Sequence, residues 1–359
     1  MALANITDLF AGQITDAKLI PCYLVAEISA NHNHDLERAK RIIEAAAAAG
    51  ADAVKLQTYT AETMTIDCDN EYFRISGTIW EGRTLHDLYR EAHTPWEWHA
   101  PLKSLAEKLG LDFFSTPFDA TAVDFLEELG VELYKVASFE LADIPLLKKI
   151  AATGKPVIMS TGMASLAEID EAVTALREGG AGPLTLLKCT SAYPAPPEEA
   201  NLRTIPALAE IFNCPVGLSD HTMGSAAAVA AVALGASVIE KHFTLSRADG
   251  GPDGSFSMEP EEFGQMVRDI RTVEKALGRV SFELTDKERE SRVFRRSLFV
   301  VEDMKAGELF TEKNVRSIRP GHGLAPKYLP EILGRKAGAD IKRGTPLTWR
   351  LIGQGEPDV

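Results

Sequence analysis

At 359 residues, 45% apolar and 25% charged, the chain has the balance of a soluble globular protein with room for a large core and more than one domain. Its formal net charge of −14 argues against nucleic acid or an anionic membrane as partner, and makes any cluster of lysines a local exception suited to a small anion. The longest apolar run, AAAVAAVALGA at 226–236, is too short to span a bilayer.

The first twenty residues include Asp8 and Asp16, lack a basic n-region and hold no long apolar run, so no signal peptide is expected. Eight short apolar segments follow: LVAEIS (24–29), AVKLQT (53–58), DFFSTP (112–117), LYKVAS (133–138), VIMST (157–161), LTLLKCTS (184–191), PVGLSD (215–220) and SVIEKHF (237–243). Their apolar bodies suit parallel strands covered on both faces. Helical segments between them end at Gly50, Gly110, Gly130, Gly154 and Gly235, where a left-handed residue closes a helix. In the segment from Asp35 to Gly50, Asp35 can cap, and Leu36, Ala39, Ile43 and Ala46 make an apolar stripe. Eight strand–helix units predict a closed (β/α)8 TIM barrel. The alternative is an open doubly wound sheet, for which there is no GxGxxG.

The crossover at 59–95 is long and carries Tyr72, Phe73, Trp80 and Tyr89 with Gly77 and Gly82. It reads as a lid or binding loop, or as a plain helical insertion. Four cysteines, Cys22, Cys68, Cys189 and Cys214, form no CxxC pair. Cys189 and Cys214, at or beside predicted strands, read as buried free thiols, which implies a reducing compartment and a cytoplasmic protein. After about residue 280 the charged stretch ELTDKERESRVFRR reads as a linker with helical character. Beyond it DMKAGELFT (303–311) and DIKRGTPLT (340–348) form a near-repeat, each a short strand, a Lys-x-Gly turn and a further strand or helix start. The expected organisation is a barrel over residues 1–280, a linker over 281–294 and a small β-rich domain over 295–359, too small to be expected to stand without packing against another surface.

A (β/α)8 barrel builds its chemistry from the C-terminal ends of its strands. Glu27, Lys55, Ser115, Thr116, Lys135, Ser138, Ser160, Lys188, Ser219, His221 and His242 would then meet at one mouth. His221 and His242, just past adjacent strands, can bind one divalent ion with positions open for water and substrate. Strand alternation puts Glu240 on the face of His242, as a third ligand or as an acceptor for a water on the ion. Lys55 and Lys135 interrupt apolar strands, and a buried ammonium needs a partner: Glu27, Glu140, or a bound phosphate or carboxylate. Neither lysine alone rules out a Schiff-base aldolase. Hydroxyls at Ser115, Thr116, Ser138, Ser160 and Ser219 suit a phosphate, though serines at strand ends also cap helices. Asp253, in DGGPDGSFS (249–257), either reaches the site or caps a turn, and Arg319 stands beside a glycine turn in RPGHG (319–323).

Taken in order, EISANHN (27–33), KLQTY (55–59), STPF (115–118), YKVAS (134–138), STGM (160–163), KCTSAYP (188–194), GLSDHT (217–222) and IEKHF (239–243) resemble the sialic acid synthase family. The tail RRSLFV…SIRPGHGL (295–324) is similar to that family's C-terminal antifreeze-like (SAF) domain. SANHN, LYREAHTPWEWH (88–99) and SRADGGPDGSFSM (246–258) resemble the family's pseudaminic acid branch. The resemblance implies a synthase that condenses phosphoenolpyruvate with an N-acetylated amino sugar, giving a nine-carbon α-keto acid and phosphate, with manganese or magnesium as its ion. For that branch the sugar is a 2,4-diacetamido-2,4,6-trideoxy-altrose; the alternatives are the neuraminate and legionaminate precursors. It also implies that Lys55, Thr116, Lys135, Ser138, Ser160 and Ser219 hold phosphoenolpyruvate. The ion on His221 and His242 polarises the sugar's aldehyde, and C3 of phosphoenolpyruvate attacks C1. A water oriented by Glu240 or Asp253 adds to C2 before phosphate leaves. Glu27 handles a proton or orients the sugar, and Tyr193 touches the sugar. Ser191 stands where sialic acid synthases carry asparagine, which fits a different sugar. Arg319 is placed as the arginine delivered to the N-acetyl group in the partner subunit, so the implied assembly is a domain-swapped homodimer. An aldolase acting on arabinose or erythrose phosphate would lack the SIRPG module. A binding protein using its SAF-like domain would not need histidines and lysines at the strand ends.

Overall fold

The computed structural model describes residues 21–353, so the signal-peptide reading lies outside the described residues. The eight apolar segments become β1 (Tyr23–Glu27), β2 (Ala53–Thr58), β3 (Asp112–Pro117), β4 (Tyr134–Val136), β5 (Val157–Ser160), β6 (Leu184–Cys189), β7 (Val216–Asp220) and β8 (Val238–His242). They pair in parallel in sequence order, and β8 closes on β1. The closed barrel stands and the open-sheet alternative falls.

The outer helices follow from caps and apolar stripes. Helix α1 (Leu36–Ala49) begins where the Asp35 carboxylate accepts the backbone N–H groups of Glu37 and Arg38, and buries Ala39, Ile42, Ile43 and Ala46. It stops at Gly50, whose φ of +91° only glycine adopts cheaply and where a Cβ would press Val267 Cγ1 at 3.2 Å. The crossover holds α2 (Ala61–Met64) and α3 (Leu85–Ala92) before α4 (His99–Lys108). Between α2 and α3 the chain makes a small hairpin, bridged at Arg74 and Thr84. The circuit is completed by α5 (Ala120–Leu129), α6 (Ile144–Ala151), α7 (Leu166–Glu178), α8 (Thr204–Phe212), α9 (Ala226–Ala233) and α10 (Pro260–Leu277). Among the described residues no helix is long and apolar enough to cross a membrane.

Strand alternation sorts the side chains into two layers. Tyr23, Val25, Ala53, Phe114, Leu133, Ile158, Leu187 and Val238 fill the barrel interior as a cluster separate from the larger layer between strands and helices. Gly217 shares that interior, where a Cβ would meet the Val238 carbonyl oxygen at 2.3 Å. Continuing the inward alternation upward gives Glu27, Lys55, Gln57, Thr116, Lys135, Ser160, Cys189, Ser219, His221, Glu240 and His242. Ser115 and Lys188 fall on the opposite parity, which corrects their expected place at the mouth. Ser115 bonds Thr58 Oγ1 at 2.6 Å, which in turn contacts His99 Nε2 of α4 at 2.8 Å. Lys188 Nζ donates to the Cys189 carbonyl at 2.7 Å. Cys189 is buried as expected, but Cys214 is only half-buried.

The chain divides into two compact units, at Gly278 and Arg279. In the second, the expected helical character appears as α11 (Asp286–Ser291), capped by Thr285 and Glu288. An antiparallel pair, β9 (Ser297–Val300) and β10 (Val315–Ile318), packs on a core of Leu298, Val300, Met304, Phe310, Val315, Ile332, Ile341 and Leu347. The two copies of the near-repeat face each other reciprocally. Met304 and Ile341 exchange backbone bonds, Lys305 reaches Asp340 at 2.7 Å, and Lys342 reaches Asp303 at 2.7 Å. The expected strands within it are reduced to single bridges, Met304 with Ile341, Leu309 with Lys336 and Phe299 with Pro346. Turns at Gly307 and Gly344, and a proline without an N–H, leave no room for a longer ladder.

Between β7 and β8 the outward layer holds a buried ion pair: Lys241 Nζ lies 2.6 Å from Asp220 Oδ2 and donates to the Thr222 carbonyl at 2.7 Å. Removing one partner strands a charge in an apolar layer. Lys241→Met should therefore cost about 3–5 kcal/mol in urea unfolding. The double change Lys241→Met with Asp220→Leu should recover most of that loss, and a single variant as stable as wild type would refute the argument.

Candidate active site

The barrel register places the site. Glu27 pairs with Lys55 on one side and His242 on the other, and Ser219 pairs with Glu240. At the centre, Lys55 Nζ lies 2.6 Å from Glu27 Oε2, 3.6 Å from Glu240 Oε1 and 3.2 Å from Thr116 Oγ1. Lys135 Nζ donates to Ser160 Oγ at 2.7 Å and lies 3.9 Å from Glu240 Oε2. Ser219 Oγ donates to Glu240 Oε1 at 3.3 Å. Thr116, Ser160 and Ser219 thus serve charged groups rather than capping helices. Glu27 is a partner of Lys55 as one alternative held, whereas the carboxylate nearest Lys135 is Glu240 and not Glu140.

Burial opposes charge on every one of these groups, and their neighbours decide the outcome. For Lys55 burial pulls the ammonium down, but Glu240 and Glu27 outweigh it and the net shift is upward. For Lys135 burial wins and the shift is downward. Glu240 is held below the usual carboxylate range because Lys135 and Lys55 overcome its burial. Glu27 is raised by burial against the opposition of Lys55.

The two histidines stand side by side, ring centroids 5.4 Å apart. His221 Nδ1 donates to the Thr190 carbonyl at 2.9 Å, so Nδ1 carries a proton and Nε2 is the nitrogen turned to the mouth for a ligand. His242 is held well below the ordinary imidazole range by burial and by His221, and among the described residues its buried Nδ1 has no hydrogen-bond partner. Cys189 and the Thr190 carbonyl hold His221 above the ordinary imidazole value against its burial, so the neutral imidazole with the orphaned nitrogen is His242, and the two rings together fit a divalent ion. Among the described residues no cluster of three or more His, Cys, Asp or Glu is placed to hold a metal ion, and the near partners of the Glu240 carboxylate are Lys55, Lys135 and Ser219.

Around this centre, Tyr193 lays its ring 4.3 Å from that of His221 and 5.2 Å from Phe256, and Trp80 of the crossover lies 5.8 Å from Tyr193. Trp80 Nε1 donates to the Pro252 carbonyl at 2.9 Å, so the crossover hairpin reaches the loop after β8. Asp253 in that loop makes no capping bond; its carboxylate accepts the Ser29 hydroxyl and, at 3.4 Å, the Ala30 N–H. Burial raises its pKa. Ser138 Oγ accepts the Gly162 N–H at 3.0 Å. Ser191 Oγ sits where a Cβ on Gly162 would approach to 2.3 Å, so that position admits only glycine without movement. Cys189 Sγ is 4.0 Å from His221 Nδ1; burial pushes the thiol up, but His221 prevails and brings it down to about 7. Arg319 belongs to the second unit, where it is exposed.

The sequence reading passed over Gln57 and Ser29. Gln57 Nε2 donates to Glu27 Oε1 at 3.0 Å and to Ser29 Oγ at 3.1 Å, which joins Lys55, Glu27, Gln57, Ser29 and Asp253 in one chain of polar contacts. The two-residue step from Lys55 to Gln57 was the available signal for Gln57.

A parallel barrel with buried lysines, carboxylates and paired imidazoles at one mouth defines an enzyme with a site built for a small anion. The chain belongs to the NeuB family, which it matches over residues 42–282, and residues 295–352 match the SAF domain. It is 47% identical to the pseudaminic acid synthase of Helicobacter pylori over 92% of this chain and 97% of that one. It is 40% identical to the N,N'-diacetyllegionaminic acid synthase of Campylobacter jejuni, over 89% of this chain and 96% of that one. Among solved structures, the N-acetylneuraminic acid (sialic acid) synthetase of Leptospira borgpetersenii, in complex with citrate, superimposes with a TM-score of 0.68 at 35% identity, covering 76% of this chain and 90% of that one.

Glu140 is the site's unspent carboxyl. Its buried Oε2 has no hydrogen-bond partner among the described residues, and burial lifts its pKa to about 7 against the pull of Lys135. The folded state therefore binds this proton more tightly than the unfolded chain, where the value is about 4.3. Stability is full below that lower value and falls as pH rises through 7. Glu140→Gln should melt within about a degree of wild type at pH 4.5 and a few degrees above it at pH 8. A difference in melting temperature that does not change with pH would contradict the assignment.

Proposed function

We propose that this enzyme condenses phosphoenolpyruvate with 2,4-diacetamido-2,4,6-trideoxy-β-L-altropyranose, through its open-chain aldehyde, to give pseudaminic acid and phosphate. The observation that carries the reading is the pair of buried lysines, each with a hydroxyl partner, on the same rim as two adjacent imidazoles. The choice of sugar is supported by the higher identity to a pseudaminic than to a legionaminic acid synthase.

In this reading Lys55 and Lys135, with Thr116, Ser138, Ser160 and Ser219, receive the phosphate and carboxylate of phosphoenolpyruvate. The incoming anion competes with Glu27 for Lys55. Freed in part, and raised by burial, Glu27 is suited to give a proton to the new hydroxyl at C1 or to orient the sugar. His221 Nε2 and His242 would hold Mn2+ or Mg2+, and two nitrogen donors favour manganese of the two. When bound, the ion supplies Lewis-acid polarisation of the aldehyde. C3 of phosphoenolpyruvate bonds to C1 of the sugar, and a water oriented by Glu240 or Asp253 gives its oxygen to C2 and its proton to the carboxylate. Cleavage of the C2–O bond then releases phosphate with the bridging oxygen. Tyr193 walls the sugar, Ser191 stands beside it, and Arg319 from a partner subunit reaches its N-acetyl group in a domain-swapped homodimer. The expected compartment is the cytoplasm.

Phosphate release from phosphoenolpyruvate, measured with manganese, separates the readings. Release with the diacetamido trideoxy altrose, and not with N-acetylmannosamine or the legionaminic precursor, is expected. Release with another of these sugars would keep the reaction and overturn the substrate, and release with none from folded protein would overturn the reaction.

The imidazole pair has its own test. His242→Ala should weaken Mn2+ binding, read by electron paramagnetic resonance, by about tenfold or more while leaving the circular dichroism unchanged. Wild-type manganese affinity in this variant would take the ion away from the pair.

A further inference from the structure

The first turn after β1 holds a residue in a conformation its chemistry does not favour. Ser29 has φ +47°, in the left-handed region, and is 1% exposed. Asn33 and His34 in the same turn are also left-handed, with φ +49° and +53°, but Asn and His visit this region several times more readily than most residues. Serine gains nothing there from its backbone, and its Cβ crowds the following carbonyl where glycine would be free of strain. Such strain persists only where the surroundings compensate it.

The compensation is in the hydroxyl. Ser29 Oγ donates to Asp253 Oδ2 and accepts from Gln57 Nε2 at 3.1 Å, while the second hydrogen of that amide goes to Glu27 Oε1 at 3.0 Å. The hydroxyl thus donates once and accepts once, and the Gln57 amide spends both of its hydrogens. Asp253 is carried by the loop after β8, 224 residues away in sequence, with no cap of its own to hold it. The Ala30 N–H, which the same turn presents, is its further contact at 3.4 Å.

We propose that Ser29 is a positioning residue: its strained backbone aims a hydroxyl that fixes the Asp253 carboxylate over the mouth and ties it, through Gln57, to Glu27. The role rests on the reading of Asp253 as a group that orients the attacking water. A glycine at this position would fold with less strain and lose the tie.

Two variants separate hydroxyl from strain. Ser29→Ala removes the hydroxyl and keeps the Cβ, whereas Ser29→Gly removes both. Both should lower kcat by about 10- to 100-fold, with the KM for phosphoenolpyruvate within about twofold of wild type. Ser29→Gly should melt a few degrees above Ser29→Ala, since only it escapes the strain. Activity would then follow the hydroxyl while stability follows φ, a split that a purely structural serine would not give. Wild-type kcat in Ser29→Gly, or equal melting temperatures for the two variants, would overturn the proposal. In melting temperature, Asp253→Asn should cost less in the Ser29→Ala background than alone, and additive costs would remove the tie. That measurement needs no turnover, so it distinguishes failure of this contact from failure of the synthase reading, which would appear as wild-type protein releasing no phosphate.

Discussion

Four charged side chains are buried within one ring of strand ends: Glu27, Lys55, Lys135 and Glu240, each less than a tenth exposed. A lone buried charge costs several kcal/mol, and attraction between partners repays this only when the geometry is close. Here two ammoniums face two carboxylates, and Glu240 stands between both lysines at 3.6 and 3.9 Å. The set is electrically balanced before any substrate arrives. An incoming anion of several charges upsets that balance unless a proton or a cation comes with it. The imidazoles of His221 and His242 stand on the adjoining strands, 5.4 Å apart between ring centroids, and on the proposed reading they are where that cation would sit.

Such a balance needs rigid supports, and the fold supplies them at three places. Strand register sets Glu27 beside both Lys55 and His242. Behind the imidazoles, Lys241 and Asp220 clamp β7 to β8 through a buried ion pair, with Lys241 next to His242 in sequence and Asp220 next to His221. In front, Tyr193 is held between His221, Phe256 and Trp80, so a residue of the crossover hairpin joins the walls of the mouth. The crossover is therefore more than a helical insertion, because Trp80 also anchors on the Pro252 carbonyl beside Asp253.

The barrel was legible because a parallel strand buried on both faces leaves an apolar run that no other element needs, and all eight runs became strands. Its closing glycines were legible for a local reason too, since the left-handed φ at Gly50, Gly110, Gly130, Gly154 and Gly235 is a property of the residue itself. The error at Ser115 and Lys188 came from counting every polar residue at a strand end as facing the mouth, when alternate ones face the helices. Applied strictly, the same alternation would have admitted Gln57. It would have admitted Ser29 too, two residues past Glu27, but not the bond Ser29 makes to a carboxylate 224 residues away. The near-repeat likewise announced its Lys-x-Gly turns, but its reciprocal ion pairs, Lys305 with Asp340 and Lys342 with Asp303, exist only once the two copies face each other.

Discrimination among acetamido sugars follows from what the mouth leaves unsatisfied. A site that hydrogen-bonds a hydroxyl rejects an analogue without it strongly, because its own polar group is stranded; an apolar wall rejects an added hydroxyl only weakly. A trideoxy sugar therefore needs a site with few groups waiting for hydroxyls. Beside Tyr193 and Phe256 the mouth presents aromatic surface, and Ser191 keeps its hydroxyl against Gly162 and near Cys189 Sγ, at 3.9 Å. An asparagine there would bring an amide with two donors and a longer reach, which a deoxy carbon could not satisfy. On the proposed reading, the short serine favours the deoxy sugar by withholding a polar group.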